Sequence, residues 1–377
     1  MTVTDPEQAE TPRAAGSVGE SYAFATDAAS GAHPTVLAAV AAANEGPAAP
    51  YGIDPYSRAV SIRLSEMLWS AYGRTSFVFN GTAANVLALR ALCKPWEGVI
   101  CAESAQLSTF AGGALEGVGG LKLIPVPSVD GKLSVDGIRR ELRHLGNVHA
   151  VQPRVVSVSQ ATEIGTLYTV DELREISAVT HGAGLFLHMD GAHLPNAAAA
   201  LGLGLRELVH GVQVDLLSLG VSRHGGLIGE ATVATRQTVS YDLPYLEKQT
   251  LQLAPKMRFV AAQFDALMRD ELWIENAGHA NTMAARLADA VGDIEGVTVI
   301  ASPQTNVVRA RLRPEVAEVL RRSWAFTIPD ELTGDVRWVC SWDTRAEDIE
   351  RFVGAIADAE ATTPRITVAP APFAHDL

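Results

Sequence analysis

The first two thirds of the chain alternate short apolar runs with longer amphipathic segments. The runs at 155–159 and 185–190 are short and apolar, and each ends in a polar residue. The segment between them, at 171–182, is predicted to be a helix that Thr169 or Asp171 caps. Buried strands joined by helices of this length indicate a parallel sheet covered by helices on both faces. We therefore predict an α/β fold for this part of the chain.

The last third of the chain has a different pattern. A long helix is predicted after Tyr245, ending near Leu272, and a second helix follows over 279–291. Short strands are then predicted at 297–301, 305–312 and 336–342, and a last helix at 345–360. Together they form an α+β segment. We predict the following division: a mobile tail at 1–20, a large domain at 21–255 whose segment 21–50 packs near the small domain, a small α+β domain at 256–361, and a Pro/Ala-rich tail at 362–377.

Composition restricts the class of protein. With 47% hydrophobic and 19% charged residues among 377, the chain is typical of a globular protein large enough for two domains. Its formal charge of −13 argues against nucleic acid as a partner. The three cysteines match no metal spacing, and neither a signal peptide nor a membrane span is evident. We expect a cytoplasmic protein without a metal that acts on a small molecule.

Two glycine turns follow predicted strands and are candidates for chemistry. Asn80-Gly81-Thr82 opens a helix after the run at 77–79, so free backbone N–H groups and the helix dipole could hold an anion there. A purely structural turn would have the same sequence pattern. The second turn is Ser222-Arg223-His224-Gly225, after the run at 215–218. Ligands of α/β proteins bind at such strand ends.

Several segments, in order, resemble the threonine aldolase and β-eliminating lyase family of fold-type-I pyridoxal-phosphate enzymes. They are FATDAASGAHP (24–34), YGIDPY (51–56), NGTAANVLAL (80–89), CAESAQLSTFAGGALE (101–116), SQATEIGTLYTVDEL (159–173), HMDGAHLPNAAAALG (188–202), LSLGVSRHGGLIGEA (217–231), LQLAPKMRFVAAQ (251–263) and VRWVCSWDT (336–344). The resemblance implies a three-layer αβα large domain with a mainly parallel sheet, and a smaller α+β C-terminal domain.

The resemblance also implies roles for individual residues. Gly81 and Thr82 match the turn that holds the cofactor phosphate, and Asp190 matches the carboxylate that pairs with the pyridine nitrogen. Arg258 matches an arginine near the phosphate that is often reached across a subunit interface. Because sites of this family usually lie at subunit interfaces, we expect a homodimer or homotetramer.

Three further positions match substrate contacts of the family. Arg337 matches an arginine that binds the substrate α-carboxylate, a function suited to a planar, two-pronged donor. Thr26 stands where the family usually has serine, and Asp27 matches the residue that follows. Without the resemblance, Asp190 could equally be a helix cap and Arg337 part of a surface ion pair.

The chain departs from the family at its chemical centre. Arg223 replaces the lysine that forms an imine with pyridoxal phosphate, and a guanidinium cannot act as that amine. No lysine lies between residues 133 and 247. Gln106 replaces the histidine that stacks on the cofactor, and His193 replaces an arginine of the family. Phe110 and Ala111 stand at the positions of an acidic pair.

These departures leave three hypotheses open. In the first, the chain is a repurposed lyase that needs no cofactor; His193 and His224 transfer protons, and Arg223 stabilises negative charge, around a centre that includes Gln106. In the second, pyridoxal or pyridoxamine phosphate binds noncovalently and His224 is the base. In the third, the chain is a noncatalytic protein that binds a ligand or partner. We expect the first, with no cofactor.

Overall fold

The computed structural model describes residues 21–68, 74–236, 241–330 and 334–364. Within these ranges the strands form a seven-stranded sheet and a four-stranded sheet. The strands are β1 (Arg74–Val78), β2 (Glu97–Ala102), β3 (Lys122–Val126), β4 (Gln152–Ser159), β5 (Phe186–Gly191), β6 (Leu216–Gly220), β7 (Glu230–Ala234), β8 (Thr298–Ala301), β9 (Val307–Arg311), β10 (Thr327–Asp330) and β11 (Asp335–Val339).

Helices alternate with the strands of the large sheet and flank the small one. They are α1 (Pro34–Ala42), α2 (Pro55–Met67), α3 (Gly81–Leu92), α4 (Gln106–Thr109), α5 (Ala114–Gly117), α6 (Val135–Leu142), α7 (Val170–Gly182), α8 (Leu194–Leu201), α9 (Leu243–Gln249), α10 (Arg258–Met268), α11 (Leu272–Gly292), α12 (Pro314–Leu320) and α13 (Ala346–Thr362). Side chains satisfy the free N–H groups at several helix starts; Asn80 Oδ1, for example, accepts from the Ala83 N–H at 2.9 Å. In the described ranges, no helix has the length and apolarity that crossing a bilayer requires.

The large sheet has the strand order β1-β7-β6-β5-β4-β2-β3. All neighbours run parallel except β7, which is antiparallel to both β6 and β1. The predicted three-layer domain with a mainly parallel sheet is therefore confirmed, as is the smaller C-terminal sheet domain. The carboxyl ends of β1, β4, β5 and β6 and the start of β7 share one edge, where Gly220 lies opposite Glu230.

An aromatic core holds the small domain together. The Phe352 ring lies 4.7 Å from that of Phe24 and 5.2 Å from that of Trp338, measured between ring centroids. Trp324 and Phe326 belong to the same buried cluster. Phe24 thus packs into the small domain although it is more than 250 residues away in the chain from most of that core.

The structure corrects the helix predicted from Tyr245 to about Leu272, which is instead divided among α9, α10 and the start of α11. Leu251 has φ 64° and Asp270 has φ 55°, and both left-handed conformations interrupt helical hydrogen bonding. The large-domain core includes Trp273 and the small-domain core includes Ala284, both on α11, and the predicted domain boundary after residue 255 stays a prediction. The predicted tail at 1–20 and most of the predicted tail at 362–377 lie outside the described residues.

Candidate active site

Arg223 lies on a tight turn that follows the fully buried strand β6. Ser222–His224 form a single 3-10 turn, and Gly225 follows with φ 95°. A Cβ on Gly225 would come within 3.0 Å of both His33 and Asn276, so a larger residue would be strained and crowded. The His33 N–H donates to the Gly225 carbonyl at 2.8 Å, which ties the N-terminal segment to the turn.

The guanidinium of Arg223 forms an ion pair with the buried carboxylate of Asp27. Arg223 Nη1 lies 2.6 Å from Asp27 Oδ1, and Asn306 Nδ2 donates to Asp27 Oδ2 at 3.1 Å. Burial raises the pKa of Asp27, but His193 and Arg223 more than offset it, so the pKa lies well below its usual range. Asp27 is 2% exposed, and a substrate would reach it only past these partners.

His224 is a buried neutral imidazole with a defined tautomer. Asn281 Nδ2 donates to the Asn196 backbone carbonyl, so the Asn281 Oδ1 atom is the one that accepts from Asn196 Nδ2. The Asn196 side chain is thereby oriented with its Oδ1 atom toward His224 Nε2, at 2.8 Å. His224 Nε2 therefore carries the proton, and Nδ1 has the lone pair. In the described part of the chain Nδ1 has no hydrogen-bond partner. Burial lowers the pKa of His224 to about 3.

His193 joins the same cluster from the loop after β5. Its Nδ1 lies 3.4 Å from Asn196 Oδ1 and 3.6 Å from Asp27 Oδ2, and its ring centroid is 6.4 Å from that of His224. Burial lowers the pKa of His193 below its usual value. The two predicted histidines thus lie next to each other and to the Arg223–Asp27 pair.

Asp190, at the end of β5, is held in place by two donors. Asn85 Nδ2 donates to its Oδ2 at 2.7 Å, and the Ala192 N–H donates to its Oδ1 at 3.0 Å. Asn85 belongs to α3, the helix that starts at Gly81. The orientation of Asp190 is therefore coupled to the candidate phosphate turn.

The candidate phosphate turn presents backbone N–H groups that make no intrahelical hydrogen bond at the start of α3. The Asn80 side chain accepts from the Ala83 N–H, and the Asn80 backbone carbonyl accepts from the Ala84 N–H at 3.0 Å. The N–H groups of Gly81 and Thr82 precede these bonds and point out of the helix end. A Cβ on Gly81 would meet no atom within 4 Å, so the space beside the turn is open. Gln106 Nε2 lies 3.5 Å from Thr82 Oγ1.

Arg337 extends from β11 of the small domain toward this edge of the sheet. Its Nε donates to the Glu163 carbonyl at 3.2 Å. Among the described residues its two terminal nitrogens have no carboxylate partner, and burial lowers the pKa of the guanidinium. A largely buried arginine with a free two-pronged end is suited to bind a carboxylate.

Two buried carboxyl groups were missed in the sequence. Glu163 Oε1 accepts from the Gln106 N–H at 2.7 Å and from Ser159 Oγ at 2.8 Å, and burial raises its pKa to about 6. Glu230 accepts from the Val221 N–H and the Ser222 hydroxyl, and burial raises its pKa to about 7. Glu230 could have been found, because it is the one charged residue of the buried run at 230–234.

Arg258 and Thr26 lie outside this cluster. Arg258 Nη1 donates to the Gly46 carbonyl at 2.8 Å, and its guanidinium stacks on Phe259, 5.1 Å from the ring centroid. The Thr26 hydroxyl caps a short 3-10 turn by accepting from the Ala28 N–H at 3.2 Å. A phosphate contact by Arg258 and a substrate contact by Thr26 both stay predictions.

Known proteins with similar sequences identify the family. A family model described as beta-eliminating lyase matches residues 23–313 of the chain. The chain belongs to the beta-eliminating lyase family. A low specificity L-threonine aldolase of Pseudomonas aeruginosa is 41% identical to this lyase over 331 residues, which cover 87% of this chain and 94% of that protein. The resemblance seen in the sequence is thereby confirmed.

Solved structures agree with this assignment. The structure of Leishmania major threonine aldolase matches this lyase with a TM-score of 0.83 and 30% identity, covering 90% of this chain and 99% of that one. Mouse CSAD, at 16% identity and a TM-score of 0.71, shows the same fold. The activity of the chain is accordingly that of a threonine-aldolase-like lyase.

The expectation that the chain needs no cofactor is wrong. The threonine aldolases that it resembles and the fold-type-I family are dependent on pyridoxal phosphate. The error came from treating the replacement of one lysine by Arg223 as evidence against the whole cofactor. Neither the cofactor-free hypothesis nor the noncatalytic one gains support from the relatives.

The residues present fit pyridoxal phosphate. The open turn at Gly81 and the fixed carboxylate of Asp190 remain, and Gln106 Oε1 is buried with no partner in the described ranges. The five lysines lie elsewhere. Lys132 pairs with Glu172, Lys94 and Lys248 lie over the rings of Trp96 and Tyr51, and Lys122 and Lys256 are exposed.

Proposed function

We propose that this lyase breaks and forms the Cα–Cβ bond of a small β-hydroxy-α-amino acid, with pyridoxal phosphate held by noncovalent contacts. One observation carries the proposal. Arg223, which the resemblance matches to the family's anchoring lysine, pairs with Asp27 at 2.6 Å, and Asp190 and the turn at Gly81 have features that would hold the cofactor. The relatives support the lyase activity, and Arg223 supports the noncovalent binding.

The chain's own residues supply binding and proton transfer. When bound, pyridoxal phosphate provides an acceptor for the electron pair that bond cleavage leaves on Cα. The N–H groups of Gly81 and Thr82 would hold its phosphate, and Asp190, oriented by Asn85, would keep its ring nitrogen protonated. Arg337 binds the substrate α-carboxylate with its two terminal nitrogens.

His224 takes the place of the missing lysine in proton transfer. Its Nδ1 lone pair has no partner in the described structure, and Asn196 holds the ring in one tautomer. Because burial lowers its pKa to about 3, the imidazole is neutral at physiological pH, and its Nδ1 lone pair is available to accept a proton. Arg223 adds a fixed positive charge next to it, which stabilises developing negative charge.

The experiment combines cofactor titration with a test for covalent attachment. We expect a saturable change in pyridoxal phosphate absorbance, aldehyde release from L-threonine that requires the cofactor, and no cofactor-bearing peptide after borohydride reduction and mass spectrometry. A reduced adduct on any lysine would overturn the noncovalent part. If the cofactor does not bind, or aldehyde release does not depend on it, the proposal as a whole is refuted.

We also propose that the lyase is a homodimer or homotetramer. The surface next to the phosphate turn is apolar and exposed, since Phe79 is 61% and Leu251 is 90% accessible in the single chain. Gln252 Oε1 accepts from the Phe79 N–H at 2.9 Å, so these segments form one face. Light scattering after size-exclusion chromatography should give a multiple of the chain mass; a monomer at micromolar concentration would contradict the proposal.

A further inference from the structure

In the described part of the chain, one oxygen of the buried Glu163 carboxyl group has no hydrogen-bond partner. Oε1 already accepts two hydrogen bonds, from the Gln106 N–H at 2.7 Å and from Ser159 Oγ at 2.8 Å. Oε2 is shielded from solvent as well, yet within the described ranges it has no partner. Leaving a buried acceptor unpaired is costly, so the partner of Oε2 is expected to come from outside the chain.

The position of Glu163 indicates which part of a ligand Oε2 meets. The Glu163 carbonyl accepts from Arg337 Nε at 3.2 Å, so the residue adjoins the side chain that binds the α-carboxylate. On its other side Gln106 connects it to Thr82 of the phosphate turn. Gln106 Oε1 is a second buried acceptor that lacks a partner in the described structure. Two such acceptors indicate a ligand that carries a hydrogen-bond donor. That donor would lie between the ligand's carboxylate, at Arg337, and the cofactor, at Thr82.

Resting on the function proposed above, we propose that Glu163 is the catalytic residue that binds the β-hydroxyl group of the substrate and accepts its proton. In cleavage, the hydroxyl proton moves to Oε2, and the electron pair of the O–H bond becomes the second C–O bond of the departing aldehyde. The Cα–Cβ bond breaks and its electron pair stays on Cα. A proton then replaces the lost carbon on Cα, and Glu163 gives up the proton that it received, so the charge balances. Synthesis is the reverse.

The chemistry of the carboxyl group suits this step. The two donors on Oε1 hold the group in one orientation and leave Oε2 as the oxygen that can take the proton. Burial raises the pKa of Glu163 to about 6, with Asp190 contributing in the same direction. The group is therefore mostly ionised at neutral pH and yet more basic than a solvated glutamate, as a general base requires.

Binding to the cofactor-free full-length chain tests the contact without any turnover. We expect calorimetry to show that L-threonine binds about tenfold more tightly than L-2-aminobutyrate, which differs only in lacking the β-hydroxyl. Glu163→Leu should abolish this preference and leave the affinity for glycine unchanged. Glu116→Gln, a change of an exposed glutamate on α5, is the matched control and should keep the preference.

Turnover with the cofactor provides a second test that does not depend on the fold of the leucine variant. Glu163→Gln should lower aldehyde release from L-threonine at least about 100-fold. Exchange of the α-proton of glycine in heavy water, which involves no hydroxyl, should stay within about twofold. A retained hydroxyl preference in Glu163→Leu, or unchanged cleavage by Glu163→Gln, would overturn the proposal. If the wild-type chain with its cofactor still exchanges the α-proton of glycine and cleaves L-threonine, the function proposed above stands even though Glu163 is not the base.

Discussion

Replacing Asp27 by asparagine would show how much the Arg223–Asp27 pair stabilises the fold. The substitution keeps the shape of the side chain and leaves an amide oxygen for Asn306, which donates to Oδ2 at 3.1 Å. It removes the negative charge 2.6 Å from Arg223 Nη1. A positive charge then remains in the site without its partner.

The expected cost follows from the burial of the two side chains. Removing one partner of a fully buried ion pair costs about 3–5 kcal/mol. Asp27 is 2% exposed, but the Arg223 side chain is 34% exposed and can recover part of its hydration. We therefore expect the free energy of unfolding to fall by about 2–3 kcal/mol. Asp265→Asn is the matched control, because Asp265 pairs with Arg63 and Arg269 at the surface and should cost less than about 1 kcal/mol.

Urea denaturation followed by circular dichroism measures both variants against the wild-type chain. Because the pKa of Asp27 is lower in the folded chain than its unfolded value of about 3.9, the ion pair contributes fully above that value. The contribution is lost as the pH falls through the lower, folded pKa. The stability gap between wild type and Asp27→Asn should thus be constant from pH 5 to 7 and narrow below about pH 4. A gap no larger than that of Asp265→Asn at pH 7 would refute this reasoning.

Other variants test the site. Arg223→Lys should attach pyridoxal phosphate covalently, because an amine replaces the guanidinium; peptide mass spectrometry after borohydride should locate it at residue 223, and an unmodified peptide would contradict this. Arg337→Lys loses the two-pronged donor, so the calorimetric Kd for glycine should rise about tenfold; an unchanged Kd would exclude Arg337 as the carboxylate site. Asp190→Asn should weaken binding of pyridoxal phosphate at least about tenfold by absorbance titration, and equal affinity would argue against its pairing with the ring. The value of kcat/KM should fall below about pH 6 as Glu163 takes up a proton, and Glu163→Gln should lack this dependence if the base is Glu163.

Local sequence was enough to find the strands that carry the site, because a buried strand needs only a short apolar run. The predicted runs at 185–190 and 215–218 correspond to β5 and β6. The break between α9 and α10 could not be found in this way. It depends on the left-handed backbone of Leu251 and on Gln252, whose side-chain oxygen accepts from the Phe79 N–H. Such contacts between distant segments are absent from any local window.

The same limit applies to the site. Arg223 and His193 follow strand ends, Asp190 lies at the end of β5, and the strand ends of a parallel sheet meet at one edge. Glu163 depends on Gln106, 57 positions away, and on Arg337, 174 positions away, so its burial has no local pattern. The mistaken expectation about the cofactor had a different cause. It gave the replacement inferred at Arg223 more weight than the match of Gly81 and Thr82 to the family's phosphate turn.

The N-terminal segment around residues 24–33 connects the two domains, because its side chains and backbone contact both of them. Phe24 packs in the aromatic core of the small domain, and Asp27 forms an ion pair with Arg223. The His33 N–H donates to Gly225, on the turn that carries Arg223. Any rotation of the small domain away from the large sheet would pull Asp27 with Phe24 and stretch the ion pair. The electrostatic energy of that pair would then add to the resistance against domain opening. The residue at position 223 would thus contribute to the resistance against separation of the domains as well as to the chemistry of the site.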